Sequence, residues 1–464
     1  MVAKMYVWGV SAVVLGALAG VACSGADGER GPAGSAGPAG SAGPTGSAGP
    51  PGEAGPPGDA GEPGDPGEAG PATPMEPPRL LDAKIGGWVQ ANRDAINAML
   101  AKHGIASGTF DPAKRPVAVF DWDNTVLKND IGDATFAWMV KHDVILQPPN
   151  KDWGLTSPEL TADAKAALKA ACDAAAAAGS PLPTSTNAGC AAEIMSIYYN
   201  GKTTISNDAW PSKGVTTTTN YAYGWASQLQ AGHSPSEVRS WAVAAFEENV
   251  GNPVGSKQIV GGVEMAGYVR VYDQIRDLAE TLTENGFDVW ILTASPQYVV
   301  EAISEEIGVP PHRVVGIRPT LTGGKITYGF QGCGTLTDGQ TSLITFYNGK
   351  RCWINKVIFG EPPASQLAPN PDPSKRPVFV AGDSDTDLAM LKDATVLKLV
   401  IERNKIEVSC NAYANHQNKW LHQPMFIEPK PAPTAGAFDC PAAKDPEGNP
   451  IVDEAGQTFP KKLP

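Results

Sequence analysis

From residue 80 onward the apolar and polar positions fall into two alternating patterns. In IGGWVQANRDAINAMLAKHG the apolar residues recur at helical spacing and stop at Gly104, which predicts a helix. RPVAVFDWDNT follows as a continuous apolar run ending in acidic residues, the mark of a buried parallel strand whose carboxyl end carries polar chemistry. The pairing recurs twice: a helix around YDQIRDLAETLTENG leads into the strand FDVWILTAS, and RPVFVAGDSDTDLAML reads as strand, turn and helix. Such alternation predicts an α/β fold, a parallel sheet flanked by helices. Between residues 136 and 254 the pattern changes to an Ala-rich stretch with many Trp and Tyr, helix signals and no buried strand, which predicts an inserted, mainly helical cap. The core is then split into residues 80–135 and 255–430. The Pro-rich, polar residues 431–464 are expected to lie along the surface or to be partly disordered.

The first 79 residues follow other rules. Lys4 precedes an apolar run from Val7 to Ala22 that is short for a membrane span and reads as an export signal, residues 1–22. The run ends at Ala22-Cys23-Ser24, similar to a bacterial lipoprotein processing site, although Gly20 stands where such sites usually have Leu. Cys23 is then the expected lipidation site, opening a short N-terminal piece, residues 23–27; cleavage after Ala19 or Ala22 is the alternative. From Gly28 to Gly70 glycine occupies every third position, with Pro and Ala filling much of the rest. Only glycine fits the axis of a collagen triple helix, so this strict period predicts a collagen-like stalk, as a homotrimer or as a single-chain spacer. Residues 71–79 form a linker.

Charge and cysteine content narrow the function. A formal net charge of -13 disfavours nucleic acid and anionic membrane as partners, leaving a lipid anchor as the expected membrane contact. With Cys23 consumed, six cysteines remain, an even number that suits an exported protein. The simplest of their 15 pairings joins sequence-local couples, 172 with 190, 333 with 352, and 410 with 440. No spacing supports a zinc site, and no serine-hydrolase elbow or phosphate-cradling loop is present.

The chemistry-bearing residues stand at strand ends. Asp121 and Asp123 close the first strand, Thr293 closes the second, and Asp383 and Asp387 follow the third in GDSDTD. An Asp after a strand is commonly a helix cap. Their joint order instead supplies what phosphoryl transfer needs: a nucleophile, groups that neutralise the phosphoryl oxygens, and a proton donor.

In DWDNT, the Thr of VWILTAS, a lysine and GDSDTD, the chain resembles the haloacid dehalogenase (HAD) superfamily, whose four motifs these match. INAMLAKHG, VFDWDNT, VVGIRPTL and LKLVIERNK are most similar to the bacterial phosphorylcholine phosphatases within it. The resemblance implies a Rossmann-like core with a cap and hydrolysis of a small phosphomonoester. Asp121 would be the nucleophile, forming an aspartyl-phosphate, and Asp123 the general acid and base. Thr293 would bind a phosphoryl oxygen and Lys356 would neutralise the transferring group, with Lys350 as its rival. It further implies Mg²⁺ held by Asp121, Asp383 and the backbone carbonyl of Asp123, with Asp387 orienting the lysine and the outer shell of the metal. Asp385 reads as a solvated turn, with direct contact to the metal as the alternative. Asn124 and Ser295 would support the phosphate or serve as caps.

Substrate choice then falls to the cap, where Trp138, Trp153, Tyr198, Tyr199, Trp210, Tyr221, Tyr223, Trp225 and Trp241 offer aromatic faces to a quaternary ammonium group or simply fill its core. The glutamate pair with which phosphorylcholine phosphatases hold choline is absent; NDIGDAT offers Asp130 and Asp133 instead. A phosphoserine or broad-specificity phosphatase is the second expectation. The third is a collagen-like surface adhesin with an inactive HAD domain, against which the retention of every acid counts.

Overall fold

Val117–Phe120 forms β1, buried at all four positions, in the computed structural model, which describes residues 77–339 and 343–464. The run is apolar throughout because both faces of this strand are covered. Ala118 and Phe120 face one core cluster, Val117 and Val119 the other. β2 (Asp288–Pro296), β3 (Val314–Ile317), β4 (Phe379–Gly382), β5 (Leu397–Glu402) and β6 (Trp420–Pro424) complete a six-stranded sheet in the order β6-β5-β4-β1-β2-β3. Every neighbouring pair is parallel, with Ala118 opposite both Phe379 and Val289. A parallel sheet delivers all its carboxyl ends to one edge, which gathers Asp121, Thr293, Asp383 and Arg403.

The first helix, α1 (Gln90–His103), stops where expected, with the Gly104 N–H closing on Leu100 O. Five α-helices follow within residues 131–251: α2 (Ile131–Lys141), α3 (Ala162–Cys172), α4 (Ala188–Met195), α5 (Tyr221–Gln228) and α6 (Pro235–Gly251). α2 starts just past the first motif, capped by Asp130, whose side chain accepts from the Asp133 N–H. α6 opens with Ser234 and Glu237 capping each other reciprocally. Back in the core lie α7 (Asp273–Glu284), α8 (Gln297–Glu301), α9 (Asn348–Trp353), α10 (Leu388–Asp393) and α11 (Ile406–Ala414). The helix and strand segments read from periodicity thus appear as α1, β1, α7, β2, β4 and α10. Two antiparallel hairpins, 257–266 and 319–330, have no counterpart in that reading.

Residues 431–464 depart from expectation. They are not a loose surface tail: Phe438, Ile451, Phe459 and Leu463 bury into a small cluster of their own, and a disulfide joins Cys440 to Cys410 of α11. Lys398 of β5 lies buried beneath this segment, its Nζ 3.0 Å from Glu454. The four apolar residues have no regular spacing, so only the surface they meet reveals their role. The other disulfides join Cys172 to Cys190 and Cys333 to Cys352.

The export signal, Cys23, the glycine repeat and most of the linker lie outside the described residues. Among the described residues no helix is long and apolar enough to cross a membrane.

Candidate active site

Asp121 follows β1 directly, its backbone N–H donating to Ala381 O on β4. Its side chain is buried, and Oδ1 accepts from Lys350 Nζ at 2.6 Å. The same ammonium donates to Asp387 Oδ1 at 2.5 Å. Asp387 is held in turn by the backbone N–H groups of Asp383 and Ser384, which donate to its Oδ2 at 2.9 and 3.1 Å. Thr125, the last residue of DWDNT, donates its hydroxyl towards Asp121 Oδ2 and Asp383 Oδ1, at 3.1 and 3.2 Å. Asp383 Oδ2 takes Arg403 Nη1 at 2.5 Å.

This placement corrects the choice of lysine. Lys356 points away from the carboxylates: its Nζ donates to Gly332 O at 2.5 Å and sits 4.7 Å above the Trp353 ring. Lys350, fully buried, is the cation among the acids. On an ideal helix six residues turn through roughly 240°, so the two lysines leave the segment on different faces.

Asp123 faces the opposite wall. Its Oδ2 accepts from Ser295 Oγ at 2.7 Å and Thr293 Oγ1 at 3.5 Å, and its Oδ1 from the Ile131 N–H at 2.7 Å. Thr293, fully buried, also accepts from the Ser295 N–H, so the structure engages both hydroxyls with Asp123. Between them Ala294 lines the cavity. Gly132 makes the close packing feasible, since a Cβ there would fall 2.5 Å from Ser295 Oγ. Asn124 takes a left-handed conformation (φ 62°), exchanges hydrogen bonds with Asn129, and lines the cavity. Asp385 is no solvated turn: its Oδ1 accepts from the Val408 N–H at 2.9 Å.

Burial drives the electrostatics. Desolvation, then the neighbouring Asp387, pushes the Asp121 carboxyl well above the usual range, against the pull of Lys350. Desolvation followed by Asp130 does the same to Asp123, so its proton is retained beyond the ordinary carboxylate range. Asp121, Asp383 and Asp387 bring one carboxylate oxygen each within 4.8 Å of one another. Against these three acids stand Lys350 and Arg403, an excess of negative charge in a buried place. The donor set, all oxygen, fits a hard divalent cation.

Asp121, Asp123 and Asp383 open onto a cavity of about 150 Å³, which shares Asn124, Asp130, Tyr223 and Arg403 with a second cavity of about 210 Å³. The second is lined by Asp130 and Asp133 and by Tyr199, Tyr223 and Tyr268. Asp133 accepts from the Tyr198 hydroxyl at 2.6 Å. Of the nine cap aromatics, Trp153, Tyr198, Trp210, Trp225 and Trp241 are buried in the core, while Tyr199 and Tyr223 reach this cavity.

Sequence reasoning missed Thr125 and Arg403. Both had a signal: Thr125 ends the first motif, and Arg403 follows the apolar strand LKLVIE at the edge where the other strands place their acids.

A family model for the collagen triple helix repeat matches residues 21–78. No curated protein sequence matches the chain. Among solved structures, a conserved protein of unknown function from Anaerococcus prevotii is 21% identical, over 73% of this chain and 94% of its own, with a TM-score of 0.53. Substrate-bound phosphoserine phosphatase is 13% identical over 62% and 86% of the two chains, at a TM-score of 0.27. Cytosolic 5'-nucleotidase IIIB bound to cytidine is 14% identical over 72% and 85%, at 0.34. The parallel sheet with its flanking helices is a Rossmann-like α/β architecture, the fold this chain shares with the Anaerococcus prevotii protein.

Proposed function

We propose that this chain is an exported, Mg²⁺-dependent phosphomonoesterase. The observation that carries the reading is Lys350, an ammonium with no solvent access, held between Asp121 and Asp387 while a second acid, Asp123, stands on the opposite wall under a different set of donors. A scaffold has no use for a buried cation among excess carboxylates, whose assembly costs several kcal/mol of desolvation per ion.

In this reading Asp121 attacks phosphorus and the leaving alkoxide takes the proton that Asp123 retains. Asp123, now ionised and oriented by Ser295 and Thr293, then accepts a proton from the water that splits the aspartyl-phosphate. Lys350 balances negative charge on the phosphoryl oxygens. Asp121 and Asp383 would hold Mg²⁺ with the Asp123 carbonyl, and Asp387 would fix Lys350 and the loop. When bound, the ion supplies Lewis-acid charge neutralisation and brings the Asp121 carboxyl back towards its ionised form.

The second cavity supports an alcohol with a cationic group, phosphorylcholine first. Asp130 and Asp133 supply carboxyl groups, raised by burial, that a bound cation would draw back towards their ionised forms, and the three tyrosines supply aromatic walls. Phosphoserine remains the other candidate. Lipidation at Cys23 and trimerisation through the glycine repeat would present the enzyme at a cell surface or in the periplasm.

The test is hydrolysis of p-nitrophenyl phosphate, phosphorylcholine and phosphoserine by the full chain, with Mg²⁺ or EDTA, beside Asp121→Asn. Metal-dependent turnover lost in the variant is the expected result. Folded protein that turns over no phosphomonoester would retire the reading in favour of an adhesin on a collagen-like stalk.

A further inference from the structure

The helix that carries Lys350 has little of its own to hold it. α9 spans six residues and runs on only into one π-helical turn, Ile354–Ile358; it has no side-chain N-cap and starts from Tyr347 at φ 46°, a left-handed conformation uncommon for a bulky residue. Isolated helices of this length are unstable in water. Gly349 turns so tightly that a Cβ there would fall 1.8 Å from Ile344 O. The position of Lys350 must therefore be set by tertiary ties.

Three such ties stand close by. Arg351 grips Asp393 through Nε and Nη2 at 2.6 and 2.9 Å. Trp353 is buried, its Nε1 donating to Leu343 O at 3.3 Å. Cys352, two residues after Lys350, is joined to Cys333. The far end of that bond is itself anchored: the Gly334 N–H donates to Gln366 Oε1 at 2.8 Å, and Gly332 O accepts from Lys356. Lys356, set aside as the phosphate cation, thus braces the disulfide from behind.

We infer that the Cys333–Cys352 disulfide is a positioning element for Lys350, so that full turnover requires the bond; the inference rests on the phosphatase reading above. The ammonium meets two carboxylates at 2.5 and 2.6 Å, contacts that weaken steeply with misalignment. Without the covalent tie this short helical segment is held there only by the contacts of Arg351 and Trp353, and Lys350 can withdraw, leaving Asp121 and Asp387 together without their shared cation. The bond forms by thiol–disulfide exchange. The two thiols give up two protons and two electrons to a disulfide-bearing donor, whose own S–S bond is cleaved to a dithiol. The chain becomes fully competent only where such donors act, outside a reducing cytosol.

The test compares the full chain carrying Cys333→Ala and Cys352→Ala with a control pair, Cys172→Ala and Cys190→Ala, in the cap. Both are combined with Lys350→Met, and kcat, KM and melting are followed on p-nitrophenyl phosphate. The first pair should lower kcat on the order of 30-fold with KM within about twofold, since the lost interaction is one made to the transition state. The control pair should keep kcat within about threefold. In the Lys350→Met background the 333/352 pair should cost little more, because both changes remove one interaction. Full kcat in the folded 333/352 variant, or an independent loss beside Lys350→Met, would overturn the inference. If that variant does not fold, wild-type chain is partially reduced with dithiothreitol and alkylated. Activity should then fall in step with labelled Cys352, and activity retained by chains labelled there would overturn it equally. Wild-type protein with no turnover would count against the phosphatase reading instead.

Discussion

Asp121 and Asp123 lie two positions apart yet face different neighbours, and that difference separates their chemistry. Asp121 faces Lys350 and accepts from Thr125; Asp123 instead accepts from Ser295 and Thr293. Asp123→Asn should lower kcat by roughly 10²- to 10⁴-fold on alkyl phosphates and less on p-nitrophenyl phosphate, whose leaving group needs no proton. As pH rises through the elevated Asp123 pKa, kcat on an alkyl phosphate should fall, and the descending limb should be absent in Asp123→Asn. The lysines separate as cleanly. Lys350→Met should cost about 10²- to 10³-fold in kcat, the range seen when one charge-stabilising group is removed. Lys356→Met should leave kcat within about threefold, losing one hydrogen bond and a cation–π contact worth ~0.5–1 kcal/mol.

α11 and the C-terminal segment show how an element acquires a role from what covers it. Glu407, on α11, has its carboxyl pushed up to about 7 by burial and then by Asp385. An unfolded glutamate titrates near 4.3, so the folded state holds this proton more tightly. Its contribution to stability is full below about pH 4.3 and is lost as pH rises through about 7. Urea unfolding at intervals from pH 4 to 8 should show that decline, and Glu407→Gln should flatten it. Asp133, raised to about 6 chiefly by burial, acts in the same direction. Beneath the C-terminal segment, Lys398 is 1% exposed and pairs with Glu454, 13% exposed, without hydrogen-bond alignment. Glu454→Ala strands a buried ammonium and should destabilise by ~3 kcal/mol, whereas Lys398→Met together with Glu454→Ala should recover most of that loss. Denaturant midpoints at fixed slope distinguish the two outcomes.

At the scale of the whole molecule, the collagen-type repeat and the α/β unit answer to different physics. One needs only glycine at every third position; the other needs a buried sheet. Sedimentation should show the full chain as a trimer and residues 77–464 as a monomer, with equal kcat per site. A monomeric full chain would make the repeat a spacer.

The sequence by itself determined the strand and helix alternation, the acids at strand ends and the glycine period, because each is written in residues close along the chain. β1 needed four consecutive apolar residues, and α1 an apolar face ending in glycine. Choosing Lys350 over Lys356 required knowing which way a short helix turns over the sheet, and Arg403 entered the site only because β5 ends beside β4. The C-terminal segment buries four apolar residues with no period. These were decided by tertiary structure: convergence of distant side chains in a low-dielectric site depends on how elements pack, and spacing along one element carries no record of its neighbours.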